Sequence, residues 1–530
     1  MALLNGNQSI DELLQSDNFK KGLKNAEIVI QYINKKYISL NDADYTSYAH
    51  HLNNVLTMLV QRMKNSNPLF STLYQREHFA GSYADGLKIG KPTEYDMNLI
   101  IKLPVDYTKL QFEPGTPSFV KINGKEAFAN ISGAPLSPDF LRWVDEEGYL
   151  LQTKFREWME SVLTKVFLTL PLADYSDPNT RVLKDEASSS EGEYKIKHKK
   201  SGPAMTLKVT TPDGCLLDVD LVPAFQFGQS VWPPPPVAAL PEICKKKSWM
   251  VVPKPKRIKE GETLDINDAR EWRMSFLDQE RELLSGSGTV KPTIKLLKKL
   301  RDSSQIKLSS YAIKTVALFE MKNQSSEFWR NRQIYLFLFM LHRLTEQIRT
   351  GHIPFYWDER DDLLKLEKRV HENVSNRLAN IFKDIVKVID KNPYIIAEKL
   401  LNPDECKDVE DNCKIPTAEK SRPSVALAIN EAITQDETDG GAGSSGGSSS
   451  GGVITPNQIY CKLEEIAFGQ KQMPQQILRA IFSGREPLQG AHTNHEECQK
   501  KQAELEERIA DLEDKVNLMM RQIKSLTQGA

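Results

Sequence analysis

The segment AGSYADGLKIGKPTEYDMNLI, residues 80–100, holds residue types at a spacing suited to phosphoryl chemistry. Glu94 and Asp96 are two residues apart, so a β-strand would project both carboxylates from one face. Adjacent carboxylates repel, and a pair of divalent cations is the usual relief. Metals about 3.5–4 Å apart clamp the attacking and leaving oxygens of an in-line displacement. Mg²⁺ (or Mn²⁺) suits a site built from oxygen ligands and shared with substrate phosphates. Gly81 lets the backbone approach a phosphate closely, and Ser82 can donate a hydrogen bond to it. Such a site wants a third acid from a neighbouring strand. The run LLDVDLVPAF offers Asp218 and Asp220 on one face, and spacing alone does not choose between them.

These residues need a scaffold that the surrounding sequence supplies. Residues 41–66 read as one helix capped by Asn41, with Tyr45, Ala49, Leu52, Leu56, Leu59 and Met63 at three- and four-residue steps. Past the Gly-Ser segment, Tyr95, Met97 and Leu99 alternate with Glu94, Asp96 and Asn98, as in a half-buried strand. Further strands follow at 194–198, 204–209 and 215–222, punctuated by Ser201-Gly-Pro203 and Pro212-Asp-Gly214. After the prolines at 233–236 and the basic stretch 245–259, helical periodicity fills roughly 268–284, 291–302, 309–321, 329–350 and 360–400. The fold class is α/β (α+β): a mixed-sheet core with a long spine helix, and a helical C-terminal lobe.

The expected organisation is an N-terminal helical extension at 1–40, the core at 41–265 and the helical lobe at 266–400. A disordered linker at 401–453, a short helical segment at 454–496 and a coiled coil at 497–527 follow. The linker contains GGAGSSGGSSSGG, a flexible tether that an engineered joint would match equally well. Cys498, Leu505, Ile509, Leu512, Val516, Met519, Ile523 and Leu526 keep the a/d spacing of a coiled coil, a route to homo-oligomers.

Composition narrows the class. Lys and Arg total 70 against 71 Asp and Glu, so any nucleic-acid contact must come from a local basic patch. The N-terminus lacks a signal-peptide pattern, and the most apolar stretch, 335–341, is too short to span a bilayer. Six scattered cysteines without a C-x-x-C pair favour free thiols in a reducing compartment. The expectation is a cytoplasmic protein with no membrane segment.

In combination, the Gly-Ser turn, the E-x-D strand and a later Asp-bearing strand describe a nucleotidyltransferase of the polymerase-beta-like superfamily. The resemblance is sharper than that. AGSYADGLKIGKPTEYD, VDLVPAF (219–225), SWMVVPK (248–254), WRMSF (272–276) and LSSYAIKT (308–315) resemble cGAS and the animal cGAS-like receptors, Mab-type nucleotidyltransferases, over residues 41–390. The resemblance implies Asp220, rather than Asp218, as the third metal ligand beside Glu94 and Asp96. It further implies Arg273 as the arginine holding the acceptor nucleotide, with Ser275 and Glu280 on its nucleotide-contacting turn. Lys298 would meet donor phosphates, Ser310 and Lys314 would add phosphate contacts, and Tyr311 would stack on a base. Read without the resemblance, Arg273 is an ion-pair residue, Lys298 a solvated lysine and Tyr311 a core aromatic.

The implied reaction takes ATP and GTP to cyclic GMP-AMP, which signals through STING in innate immunity. One departure bears on the trigger. Vertebrate cGAS carries a zinc module before its lysine-bearing helix, whereas this chain reads LLSGSGTVKPTIKLL there, with no His or Cys. No zinc is therefore expected, and double-stranded RNA replaces DNA as the expected activator. Lys20, Lys21, Lys24, Lys35, Lys36, Lys245–Lys247, Lys295, Lys298, Lys299 and Arg301 are the candidate phosphate contacts, with the KIKHKK strand (195–200) behind them. Two rivals stand beside this reading: a transferase making linear, oligoadenylate-like chains, and a non-catalytic Mab-type scaffold.

Overall fold

The computed structural model describes residues 19–415, apart from 21–22, 40–41, 130–136, 185–191, 256–264 and 365. Asn41, Lys21, most of the N-terminal extension, the Gly-Ser tether, the segment at 454–496 and the coiled coil lie outside the described residues. Among the described residues no helix is long and apolar enough to cross a membrane.

Alternating apolar residues build a ten-stranded sheet around one long strand. Its strands are β1 (Tyr74–Ala80), β2 (Glu94–Ile101), β3 (Gln111–Pro114), β4 (Phe119–Asn123), β5 (Arg181–Leu183), β6 (Tyr194–Ser201), β7 (Ala204–Thr210), β8 (Leu216–Phe227), β9 (Trp249–Val252) and β10 (Glu271–Ser275). The main path runs β3-β4-β10-β9-β8-β7-β6-β5, while β2 lies parallel to β8 and carries β1 on its other side. Tyr95, Met97, Leu99, Val219 and Leu221 point into the core and are buried. Leu52, Val55, Leu59 and Met63 of the spine helix Asp42–Ser66 join the same core. That helix packs on a second, Gln152–Thr169, whose Phe155, Met159, Val162 and Val166 are also buried. With the apolar face sealed, the carboxylates of β2 and β8 are left on the opposite face.

The helical half differs from expectation in three places. WRMSF lies in a strand, not in a helix spanning 268–284: Trp272 and Met274 are buried while β10 pairs with both β4 and β9. Alternation thus overrides the helical period, and the core sheet extends past residue 265. The expected helix at 360–400 divides into a hairpin strand and two helices, Lys368–Val388 and Ile395–Leu400. The hairpin consists of β11 (Pro354–Phe355) and β12 (Asp358–Asp362). Finally, Pro403–Asn412 is a helix, so the linker expected from 401 cannot begin there. Asn402 and Glu405 form a reciprocal capping box that fixes its start.

That last helix returns to the beginning of the chain. Asp408 accepts hydrogen bonds from Tyr37 and, at 2.6 Å, from Lys36. The hydrogen bond to Lys36 does most to lower the Asp408 carboxyl to about 2. Val409 and Cys413 are buried behind this contact. Lys36 lies within a single π-turn, Asn34–Ile38, that ends the helix Lys24–Ile33.

Candidate active site

The parallel register of β2 and β8 sets Glu94 opposite Asp218 and Asp96 opposite Asp220. All four acids therefore share the face turned away from the core. Asp220 sits mid-sheet, between Asp96 on β2 and Thr206 on β7. Thr206 donates a 2.5 Å hydrogen bond to the Asp220 carboxylate. Asp218 is farther out, half exposed and 4.0 Å from Lys208.

Desolvation by the surrounding protein, then the negative charges of Asp220 and Glu94, push the Asp96 carboxyl above the ordinary carboxylate range, although the residue itself is exposed. Its side chain lies against Gly81, where an added Cβ would fall 1.7 Å from Oδ2 at φ +62°. Only glycine fits this turn. Glu94 answers its charge differently: Lys88 donates to it at 2.6 Å and holds its carboxyl below the usual range.

Two further cations guard the same corner. Lys298 is buried and donates to the Leu87 carbonyl at 2.6 Å. Burial, aided by Arg301 and Lys88, lowers its ammonium to about 8. Ser310 accepts a 2.8 Å hydrogen bond from Arg301, so it stands beside this cluster.

The donor set fits a hard divalent cation. Its ligands are all carboxylate oxygens, they crowd one another, and a lysine ammonium already serves as a cation at Glu94. Among the described residues no group of three or more His, Cys, Asp or Glu side chains is arranged to hold a metal ion. Lys88 holds one oxygen of Glu94 and Thr206 one oxygen of Asp220.

A second cluster gathers the remaining expected residues. Arg273 lies with its guanidinium 4.7 Å from the Phe355 ring centroid, and Phe355 is 6.1 Å from Tyr311. Tyr311 donates its hydroxyl to Glu280 at 2.5 Å, leaving its ring as the part available to a base. Glu280 is itself buried and accepts from Trp357 at 3.1 Å. Ser275 lies on β10, two residues beyond Arg273.

Lys314 departs from its expected phosphate contact. Its buried ammonium lies 2.5 Å from Asp85 and 2.7 Å from Glu280. Burial opposes the charge, but the two carboxylates outweigh it and raise the pKa above the usual lysine value. Glu280 likewise serves this buried group rather than an open nucleotide-facing turn. Asp85 also receives Arg281 at 3.0 Å. Since Asp85 caps the short helix Gly81–Ala84 that begins at the Gly81–Ser82 turn, the two clusters are joined through it.

Lys88, Asp85, Arg281 and Thr206 were not among the residues selected from the sequence. Lys88 and Asp85 lie inside the motif segment, and their charge was the available signal. Arg281 and Thr206 become identifiable only once the chain is folded. Many proposed nucleic-acid contacts already have partners: Lys36 with Asp408, Lys245 with Glu242, Lys247 with Glu282 and Lys299 with Glu405. Lys24 and Lys35 are exposed.

Comparison with known proteins gives the chain's family. The family profile of the Mab-21 protein nucleotidyltransferase domain matches residues 83–286, and that of the Mab-21 protein HhH/H2TH-like domain matches residues 289–384. A cyclic GMP-AMP synthase-like receptor of Ctenocephalides felis is 35% identical over 415 residues, covering 74% of this chain and 91% of the relative. One from Tribolium castaneum is 32% identical over 385 residues, covering 72% and 92%. One from Trichogramma pretiosum is 34% identical over 388 residues, covering 71% and 76%.

Proposed function

The chain belongs to the Mab-21 nucleotidyltransferases and, among them, to the cyclic GMP-AMP synthase-like receptors, and from that membership we propose that it joins ATP and GTP into cyclic GMP-AMP. The observation carrying the reading is the β2–β8 register, which sets Asp96 level with Asp220 beside the Gly81 turn. Glu94, Asp96 and Asp220 would hold Mg²⁺ or Mn²⁺. Two such ions, when bound, supply charge stabilisation at both the entering and leaving oxygens.

The protein's own groups do the positioning. Asp220, steadied by Thr206, accepts a hydrogen bond from the attacking ribose hydroxyl. Arg273 presents a planar fork to the acceptor nucleotide, and the Tyr311 ring offers a stacking face. Ser82, Ser275 and Ser310 donate to phosphate or sugar oxygens, and Lys298 adds a point charge toward the triphosphate. The buried Lys314–Asp85–Glu280 group keeps the two halves of the site together. Duplex RNA is the proposed activator and STING the proposed receiver of the product. The coiled coil at 497–527 would assemble copies of the chain.

The test incubates the full chain with labelled ATP, CTP, GTP and UTP, Mg²⁺ or Mn²⁺, and duplex RNA or duplex DNA in parallel. A cyclic dinucleotide requiring both ATP and GTP, formed with RNA, is the expected result. A ladder of linear oligomers would replace the reading with oligoadenylate-like synthesis. No product under any condition would favour a scaffold.

Lys298 makes triphosphate binding sensitive to pH. Its lowered pKa means that charge is lost as pH rises through about 8. ATP affinity of the wild type is expected to fall between pH 7 and pH 9 by roughly three- to tenfold, whereas Lys298→Arg stays charged and flat. Isothermal titration across that range checks it, and parallel profiles would remove Lys298 from the phosphate site. The corresponding stability effect has the opposite sign. A depressed lysine pKa penalises the charged folded state below about 8, so this group's contribution becomes more favourable as pH rises above that value.

A further inference from the structure

Ser118 is fully buried with φ +68°, a left-handed backbone conformation that favours glycine. A serine kept there asks what its hydroxyl does. It donates to Asp361 Oδ2 at 2.8 Å, and the same oxygen accepts from Arg273 Nη1 at 2.6 Å. Ser118 also accepts, through its carbonyl, from the backbone N–H of Met274 at 3.1 Å. Met274 follows Arg273 on β10, so these contacts close a ring: Ser118, Asp361, Arg273, Met274 and back to Ser118.

The ring is supported from outside. The Ser118 N–H donates to Asp358 at 2.8 Å, and Asp358, buried, is gripped by both Arg360 nitrogens Nε and Nη2 at 2.8 Å. On the other side of the turn, Glu271 accepts from the Thr116 N–H at 2.9 Å and its hydroxyl at 2.6 Å. Three elements therefore meet at Arg273: the β3–β4 turn, β10 and the β11–β12 hairpin of the helical lobe. Phe355 and Phe119 flank its guanidinium at 4.7 and 5.6 Å.

We propose that Asp361, oriented by Ser118, is a positioning residue that fixes the guanidinium of Arg273 for one of the two nucleotides. The proposal rests on the reading of Arg273 as the acceptor-side arginine. An arginine fork distinguishes ligands only when its plane is set in advance, and a carboxylate on one Nη leaves the rest of the fork to a ligand. The aromatic rings confine the plane, and Asp361 sets its rotation. Ser118 keeps its strained backbone because glycine would supply the turn without the hydroxyl.

The test compares Ser118→Gly, Asp361→Asn and Arg273→Ala in the full chain, with Mg²⁺ and a synthetic duplex RNA. Equilibrium dialysis reads ATP and GTP affinity separately, and thermal unfolding reads stability. Ser118→Gly is expected to melt at or above the wild-type temperature while binding one nucleotide about tenfold more weakly and the other unchanged. Asp361→Asn should weaken the same nucleotide, and neither change should add to the loss in Arg273→Ala. If Arg273→Ala weakens one nucleotide but Ser118→Gly and Asp361→Asn bind both normally, the positioning role is overturned and the reading of Arg273 survives. If Arg273→Ala itself binds both normally, that reading falls and the proposal with it. A lowered melting temperature in Ser118→Gly with equal loss of both nucleotides makes the ring purely structural and also overturns the proposal.

Discussion

Asp96→Ala and Asp220→Ala are each expected to reduce nucleotide transfer by about a thousandfold or more, the several kcal/mol that ligand loss removes from such a site. The fold should survive both. Asp96 stands partly desolvated beside two like charges, so its carboxylate opposes folding at neutral pH. The sign follows from its raised pKa: the protonated form is favoured in the folded state, and that advantage is lost as pH rises through the folded value. Asp96→Ala should therefore melt at or above the wild-type temperature near pH 7, while losing product. Labelled-nucleotide assays with a thermal melt on the same sample check both halves. Full transfer by either variant would sink the assignment of the acids. Such a trade, in which a costly charge is kept for chemistry, is common at functional sites.

The second large effect concerns stability. Lys314, Asp85 and Glu280 have side chains only 4%, 4% and 2% exposed. Lys314→Met would leave Glu280 without its cation in a place water does not reach, while Asp85 keeps Arg281. Breaking a buried pair by removing one partner costs about 3–5 kcal/mol. A loss of that order is expected in urea unfolding followed by tryptophan fluorescence. The double variant Lys314→Met, Glu280→Gln should recover a good part of it, because the stranded charge is gone. The raised ammonium pKa places this contribution fully on the folded side at neutral pH, with loss confined to alkaline conditions above the ordinary lysine value. Additive losses in the double variant would show that the residues do not act as a unit.

The reading of the sequence went furthest where periodicity and chemistry agreed. Period-two alternation gave β2 and its acid-bearing face, and three-and-four spacing gave the spine helix almost to its ends. WRMSF falls inside the helical periodicity read over 268–284, yet two neighbouring strands claim its backbone. Choosing Asp220 over Asp218 rests on kinship, since both acids face the same way and the register gives each an acid partner on β2. Asp361 had no visible signal: DERDD resembles any solvated acidic turn until the hairpin brings it to Arg273. Lys314, expected at phosphate from the resemblance, lies in the fold against two buried acids that its spacing gave no sign of.

The small helix Pro403–Asn412 bears on how this chain can be shortened. Removing everything after Leu400 would strip Asp408 from Lys36 and Tyr37 and remove the buried side chains of Val409 and Cys413 from the core. A trimmed version meant to retain the catalytic body has to keep residues through Cys413, although the helical lobe itself is finished a dozen residues earlier.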